Sequence, residues 1–326
     1  MTILASQIGV FKARNNNDAS NNGGRSTTTK LAPSSKNSIF GDLENSGNIG
    51  GDIETRKVFI KPDLESLTNS AFANAYVYLR DIGDDDLDYA MGYGSASDTM
   101  SAATFDIMAG RVTSALVSSA RIATPTPKTG SFDLVRYRPS TNSTVILTNA
   151  TLTQETANTA QLTGVDFSLI ETGDIITERV YFNSRDNTDD QNLKPRVFGV
   201  SVTSGGDFDE SFISFSPKAA LSVDVLIDFT NSVAFAWSIP SLGLSGTGDI
   251  NTDLTVYHPD SPTQNDASTI LKIESGAFSG SWSATSSINL SIESGAIAVW
   301  FRRIVDNSPN ISGAQSFNFG LEYATS

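Results

Sequence analysis

Residues 15–22 read NNNDASNN, and the polar text runs on through Gly23-Gly24-Arg25, Thr27-Thr28-Thr29 and Ser34-Ser35. Such a stretch has almost nothing apolar to bury and cannot offset the entropy of its own ordering. The first 55 residues are therefore expected to form a long extended arm, ordered only where something outside them holds it. The simplest holder is a neighbouring subunit in a large assembly, which points to a structural part and away from a free-standing enzyme. Ile3, Leu4, Ile8, Val10 and Phe11 make one candidate anchoring strand, and Ile39-Phe40 with Leu43 a second apolar foothold. The residues nominated for subunit contact are Ile8, Val10, Phe11, Arg14, Arg25, Ile39 and Phe40.

Charge divides the chain in the same place. Residues 1–40 carry Lys12, Arg14, Arg25, Lys30 and Lys36 against Asp18, a balance of +4 in a chain of net charge −14, which leaves −18 on the remainder. A basic arm suits docking on an acidic body, including that of an identical subunit. It lacks the dense Lys/Arg patch with interleaved aromatics that nucleic acid needs, so no nucleic-acid partner is expected.

From Arg56 onward the text is strand and turn. Lys57 to Lys61 sets an apolar run between two charged residues, reads as a strand and is closed by Pro62. Ala75 to Arg80, Phe132 to Tyr137, Thr144 to Leu147, Asp166 to Ile170, Ile175 to Phe182, Val197 to Val202, Ser211 to Phe215 and Leu221 to Phe229 continue the pattern. So do Val233 to Ile239, Leu254 to Tyr257, Thr269 to Ile273, Ser287 to Ile292, Ala296 to Ile304 and Ser316 to Tyr323. Residues 98–118 are the best helix candidate, weakened by Gly110. Charged residues are 18% of the chain, below the usual quarter or so, with Ser, Thr, Asn and Gly in their place. The expected fold is mainly β: an antiparallel sandwich or barrel-like body with a long N-terminal arm and few helices. The expected division is an arm over 1–55, a β-rich domain with one helix over 56–215, and a C-terminal β domain over 216–326.

Little in the chain points to chemistry. There is no cysteine, which excludes disulfides and Cys-based zinc sites. His258, the only histidine, sits in VYHPD and reads as a turn residue; no G-x-S-x-G elbow accompanies it. Asp84-Asp85-Asp86 with Asp88, and Asp186, Asp189 and Asp190 with Asn187 and Asn192, have oxygen ligands for Ca²⁺ or Mg²⁺. Neither group matches an EF-hand loop, since Asn192 follows Asp190-Gln191 and Val197 stands where the bidentate Glu belongs. Both read as hydrated turns, and no cofactor is expected. A carboxylate pair for glycoside cleavage obeys no local spacing rule, and none is nominated. Trp237, Trp282 and Trp300 read as core, with a sugar-binding platform as the rival if they are exposed. No apolar run of about 18 or more residues occurs, so no membrane span is expected. The opening MTILASQIGVFKAR has no long apolar stretch, so no secretory signal is expected.

The two ends of the chain resemble an uncharacterised family of virion proteins from tailed bacteriophages and Mu-like prophages. The matching residues at the start are Ser6-Gln7-Ile8 with Phe11-Lys12, Gly23-Gly24-Arg25 with Thr27, Asn37-Ser38-Ile39-Phe40, and Thr55-Arg56-Lys57-Val58-Phe59. Ala75-Tyr76-Val77-Tyr78 falls on a further strand of the family. Near the end, Asp228 to Phe235 (DFTNSVAF), Gly280-Ser281-Trp282 through Ala298-Val299-Trp300-Phe301-Arg302-Arg303, and Phe317 to Leu321 continue the likeness. It covers roughly residues 1–80 and 220–326. The resemblance implies a non-enzymatic structural subunit of the virion, in the tail, baseplate or neck, assembled in the host cytoplasm. Its partners would be other virion proteins and copies of itself. The alternative is a receptor- or glycan-binding tail fibre or decoration protein.

Overall fold

The computed structural model describes residues 8–17, 19–32, 39–40, 53–62, 72–80, 82–84, 87–94, 98–181, 196–215, 223–257, 264, 269–293, 296–305 and 317–325. Among them there are strands and short 3-10 turns but no α-helix. The chain is mainly β, as its sequence indicates. Its strands group into a base, a closed barrel and a sandwich.

The base takes strands from both ends of the chain. Its first part is β1 (Ile8–Asn15), β2 (Gly23–Lys30), β3 (Ile53–Pro62), β4 (Phe72–Leu79), β5 (Gly83–Asp84) and β6 (Leu87–Tyr93). Next along the chain comes the barrel, β7 (Ala109–Ala115), β8 (Ala120–Ala123), β9 (Gly130–Arg138), β10 (Ser143–Thr156), β11 (Thr159–Thr163) and β12 (Ile175–Glu178). The short β13 (Val180–Tyr181) returns to the base, pairing with β4. The sandwich then runs through β14 (Arg196–Thr203), β15 (Asp207–Phe208), β16 (Ile213–Ser214), β17 (Val223–Phe229), β18 (Ala234–Ile239), β19 (Leu244–Asp249), β20 (Leu254–Tyr257), β21 (Thr269–Ile273), β22 (Phe278–Ser279) and β23 (Ser287–Glu293). Finally β24 (Ile297–Val305) and β25 (Phe319–Thr325) re-enter the base, β24 between β3 and β6 and β25 beside β4. The expected cuts at 55 and 215 therefore do not follow the packing. The base is closed by the last two strands, and barrel and sandwich are both insertions in it.

β3 shows why the base forms. Its alternation sends Val58 and Ile60 into one core, with Val77, Met91, Val299 and Phe301, and sends Lys57, Phe59 and Lys61 to the opposite face. That opposite face is roofed by the β1–β2 hairpin. Phe11 and Ala13 of β1 pack on Phe59 and Ala298. The segment expected to lie outside the body is thus partly built into it: β1 pairs with β3 from Ile8↔Pro62 to Lys12↔Val58.

The barrel order is β10-β11-β8-β7-β12-β9, closing on β10. Closure removes every free edge and buries one face of each strand. On β10 the inward residues Leu147, Ala150 and Leu152 break strict alternation. A bulge absorbs the extra residue, since Leu147 opposes Leu134 and Ala150 opposes Phe132. Asn149 sits in it at φ 53°, a conformation asparagine tolerates.

The expected helix over 98–118 is not formed. Residues Met100–Ala102 make a 3-10 turn, Ile107 bridges to Met91, and Ala109–Ala115 is β7. The apolar residues that suggested a helical face repeat at period two where the barrel needs them, Met108 and Val112 pointing inward. Gly110 is required by close approach, because a Cβ there would lie 2.3 Å from the Ala123 carbonyl oxygen. The stretch Asp166 to Ile170, expected as a strand, is a 3-10 turn over Phe167–Leu169. Asp166 caps it through the Ser168 N–H.

In the sandwich a five-stranded sheet, β14-β23-β17-β18-β19, faces the three-stranded β16-β21-β20. Trp282 stacks on Phe229 in its core, with ring centroids 4.4 Å apart and planes 2° from parallel.

Candidate interaction surfaces

The nominated contact residues are best placed by what holds the β1–β2 hairpin. Two lysines of β3 grip it from below. Lys57, fully buried, donates to the carbonyls of Gly24 (2.8 Å) and Asp98 (3.0 Å) and forms an ion pair with the Asp98 carboxylate. Its ammonium lies 4.9 Å from the Phe59 ring and 5.6 Å from the Trp300 ring. The other oxygen of Asp98 accepts from Trp300 Nε1 at 3.0 Å. Lys61 donates to Ser26 Oγ (3.0 Å) and lies 4.3 Å from the centre of the Phe11 ring. Gly23 takes φ 103° against the Trp300 indole, where any Cβ would clash at 2.6 Å. A polar hairpin is thereby ordered through its backbone and short side chains.

Of the seven nominated residues, Phe11 and Phe40 are buried in this chain's own cores, and Ile8, Val10 and Ile39 pack against the base core half-buried. Phe40 meets Tyr89 and Phe317 and lies 5.2 Å from the Arg303 guanidinium. Arg303 and Arg56 both pair with Glu54 in a buried cluster. Arg14 is exposed. Arg25 pairs with Asp224 of β17 at 2.7 Å, tying the hairpin to the sandwich. The match of basic arm to acidic body is made inside one chain at this point. Ile3, Leu4 and Leu43 lie outside the described residues.

Ser291 Oγ also donates to Asp224, at 2.7 Å. Burial alone would raise the Asp224 carboxyl. The hydrogen bonds from Ser291 and Arg25 and the charges of Arg25 and Arg14 outweigh it and hold the carboxyl below its usual value. A depressed folded value gives stability that is present above the unfolded value of about 3.9 and is lost as pH falls through the folded one. The stability difference between wild type and Asp224→Asn is therefore expected to shrink as pH falls below about 4. For so exposed a pair it should be on the order of 0.2–1 kcal/mol. Urea denaturation at a series of pH values checks this; a difference that stays constant into strong acid contradicts it.

Among the described residues no group of three or more His, Asp or Glu side chains converges as a metal site would require. His258, Asp85, Asp86 and the acidic cluster over 186–192 lie outside the described residues, while Asp84 and Asp88 belong to β5 and β6. Trp300 and Trp282 are buried, and Trp237 is half-buried against the sandwich core. The described part has no helix long and apolar enough to cross a membrane.

One surface was not visible in the sequence. β7 starts and β12 ends next to the base, so the β7–β8 turn lies at the opposite end of the barrel. There Leu116 and Val117 stand 63% and 97% exposed on a turn closed by Leu116 N–H to Ser119 O at 2.8 Å. Arg138 stiffens the same end, clamping Asp174 through two bonds (2.8 and 2.9 Å) and Glu171 through one (2.7 Å). The only sequence signal was an Ala-Leu-Val run expected inside a helix.

Comparisons with protein-family models, with curated proteins and with solved structures return no match to this chain.

Proposed function

We propose that the chain is a non-enzymatic structural subunit of a tailed-phage virion, in the tail, baseplate or neck, built into the particle through contacts with other virion proteins and copies of itself. The observation that carries this reading is the barrel tip. Two adjacent aliphatic side chains are held out by a rigid closed barrel, at the end farthest from the base. Leaving such a pair in water gains nothing for the isolated molecule, whereas covering it in a contact recovers about 1.5–3 kcal/mol per side chain. The resemblance of residues 1–80 and 220–326 to phage virion proteins supports the same role. The mechanism is mechanical. The hairpin and the two buried lysines fix the base, the base carries barrel and sandwich, and the barrel presents its tip. Burial of Trp282 and Trp300 favours scaffold over a glycan platform.

The test is a Leu116→Ser/Val117→Ser variant supplied to phage lacking the wild-type chain. Both positions are solvent-exposed, so the melting temperature should stay within a degree or two. Incorporation into purified particles should fall at least about tenfold, as expected for loss of an apolar hot spot. Normal incorporation would remove the tip from the account.

A further inference from the structure

An open sheet edge offers unpaired N–H and C=O groups to any other strand, and folded proteins guard such edges with charge, proline, bulges or shortness. Most edges here are guarded. β2 carries Arg25 and Lys30 and is irregular twice against β1. β25 carries Glu322, paired with Arg179 at 2.7 Å. β5, β13 and β16 are two residues long. β19 ends on Asp249 and includes two glycines.

Two edges lack such guards, the four-residue β20 and β14, and β14 is the longer. It is eight residues long, forms the outer edge of the sandwich's larger sheet, and has neither charge nor proline from Val197 to Thr203. Its bulge lies at the start, between Val197 and Gly199; from Val200↔Leu290 to Thr203↔Ser287 it pairs with β23 in unbroken register. No backbone hydrogen bond of the described residues reaches its other side. Gly199, Ser201, Val202 and Thr203 are all exposed, Val202 to 38%.

We infer that a second copy of this chain completes this edge, its β14 lying antiparallel to the first about a two-fold axis near Ser201. Two features favour a second copy over another extended chain. The strip is uncharged on a molecule of net charge −14, so two copies meet here without opposing like charges. Antiparallel self-pairing about Ser201 also sets Val202 of one copy against Val200 of the other on one face, a favourable β-branched pair, with serine against serine on the opposite face. The two five-stranded sheets then become one continuous sheet. The inference rests on the reading of the chain as an assembly subunit and names one of its contacts.

The full-length protein tests it. The chain has no cysteine, so a single introduced thiol reports on its own surroundings. Ser201→Cys should give a disulfide-linked dimer under mild oxidation, and Thr203→Cys much less. By light scattering the wild type should be a dimer. Ser201→Lys/Thr203→Lys should weaken dimerisation at least about tenfold, with an unchanged circular dichroism spectrum and melting temperature. A monomeric wild type at about 100 μM, or a Lys variant of unchanged mass, overturns the inference. If Ser201→Cys instead cross-links to a different protein in purified particles, self-pairing is wrong while the assembly reading stands. Absence of the chain from particles would fail that reading itself.

Discussion

Deleting residues 1–31 is expected to destroy the base, not to trim an arm from a folded body. The deletion removes Phe11, Ala13 and Leu31 from cores and uncovers Phe59 and Trp300, both essentially inaccessible in the intact chain. Four large apolar side chains at about 1.5–3 kcal/mol each amount to roughly 6–12 kcal/mol, comparable to the entire net stability of a domain. Lys57 and Lys61 lose the Gly24, Ser26 and Thr27 oxygens that solvate them. Circular dichroism melts with limited proteolysis check this. The truncated chain should lose the cooperative transition of the base, while residues 109–178, whose barrel closes on itself, stay protected. A truncated chain that melts like the full-length protein would show the hairpin to be peripheral after all.

Lys57→Met is expected to cost about 3–5 kcal/mol, the usual penalty for leaving one buried charge without its counter-ion. The group that loses its lysine is Asp98, held also by Trp300 Nε1 and mostly shielded from water. Adding Asp98→Asn should recover at least about 1 kcal/mol of that loss, because the amide keeps an acceptor for the indole while removing the charge that Lys57 balanced. Recovery should be incomplete, since the carbonyls of Gly24 and Asp98 still lack the donors that Lys57 supplied. Urea denaturation of the wild type, both single variants and the double closes the cycle. A double variant no more stable than Lys57→Met would mean that the ion pair contributes little beyond its hydrogen bonds.

The strands were largely legible because β17 and β23 alternate in the plain way that a half-buried strand must. The helix over 98–118 misled because Met108 and Val112 fit both periods, and only the approach of Gly110 to the Ala123 carbonyl shows that a sheet neighbour decides. The polar hairpin misled for a different reason. Composition measures what a segment can bury by itself, whereas residues 23–30 are ordered by what β3 brings to them, two lysines aimed at backbone carbonyls and short hydroxyls. Of the residues nominated for subunit contact, Phe11 and Phe40 are buried in this chain's own cores, and the sequence does not say in which body an anchor lies. The Leu116-Val117 tip was hidden inside the expected helix, and β14 was read as an ordinary strand; that it is an edge depends on sheet order, which no local pattern carries.

The central claim is that the chain is a built-in part of a phage particle. Quantitative mass spectrometry of particles purified through a density gradient tests it most directly. The account predicts a fixed copy number per particle that survives purification and is lost, relative to the major structural proteins, with Leu116→Ser/Val117→Ser. A chain made during infection but absent from purified particles would contradict it.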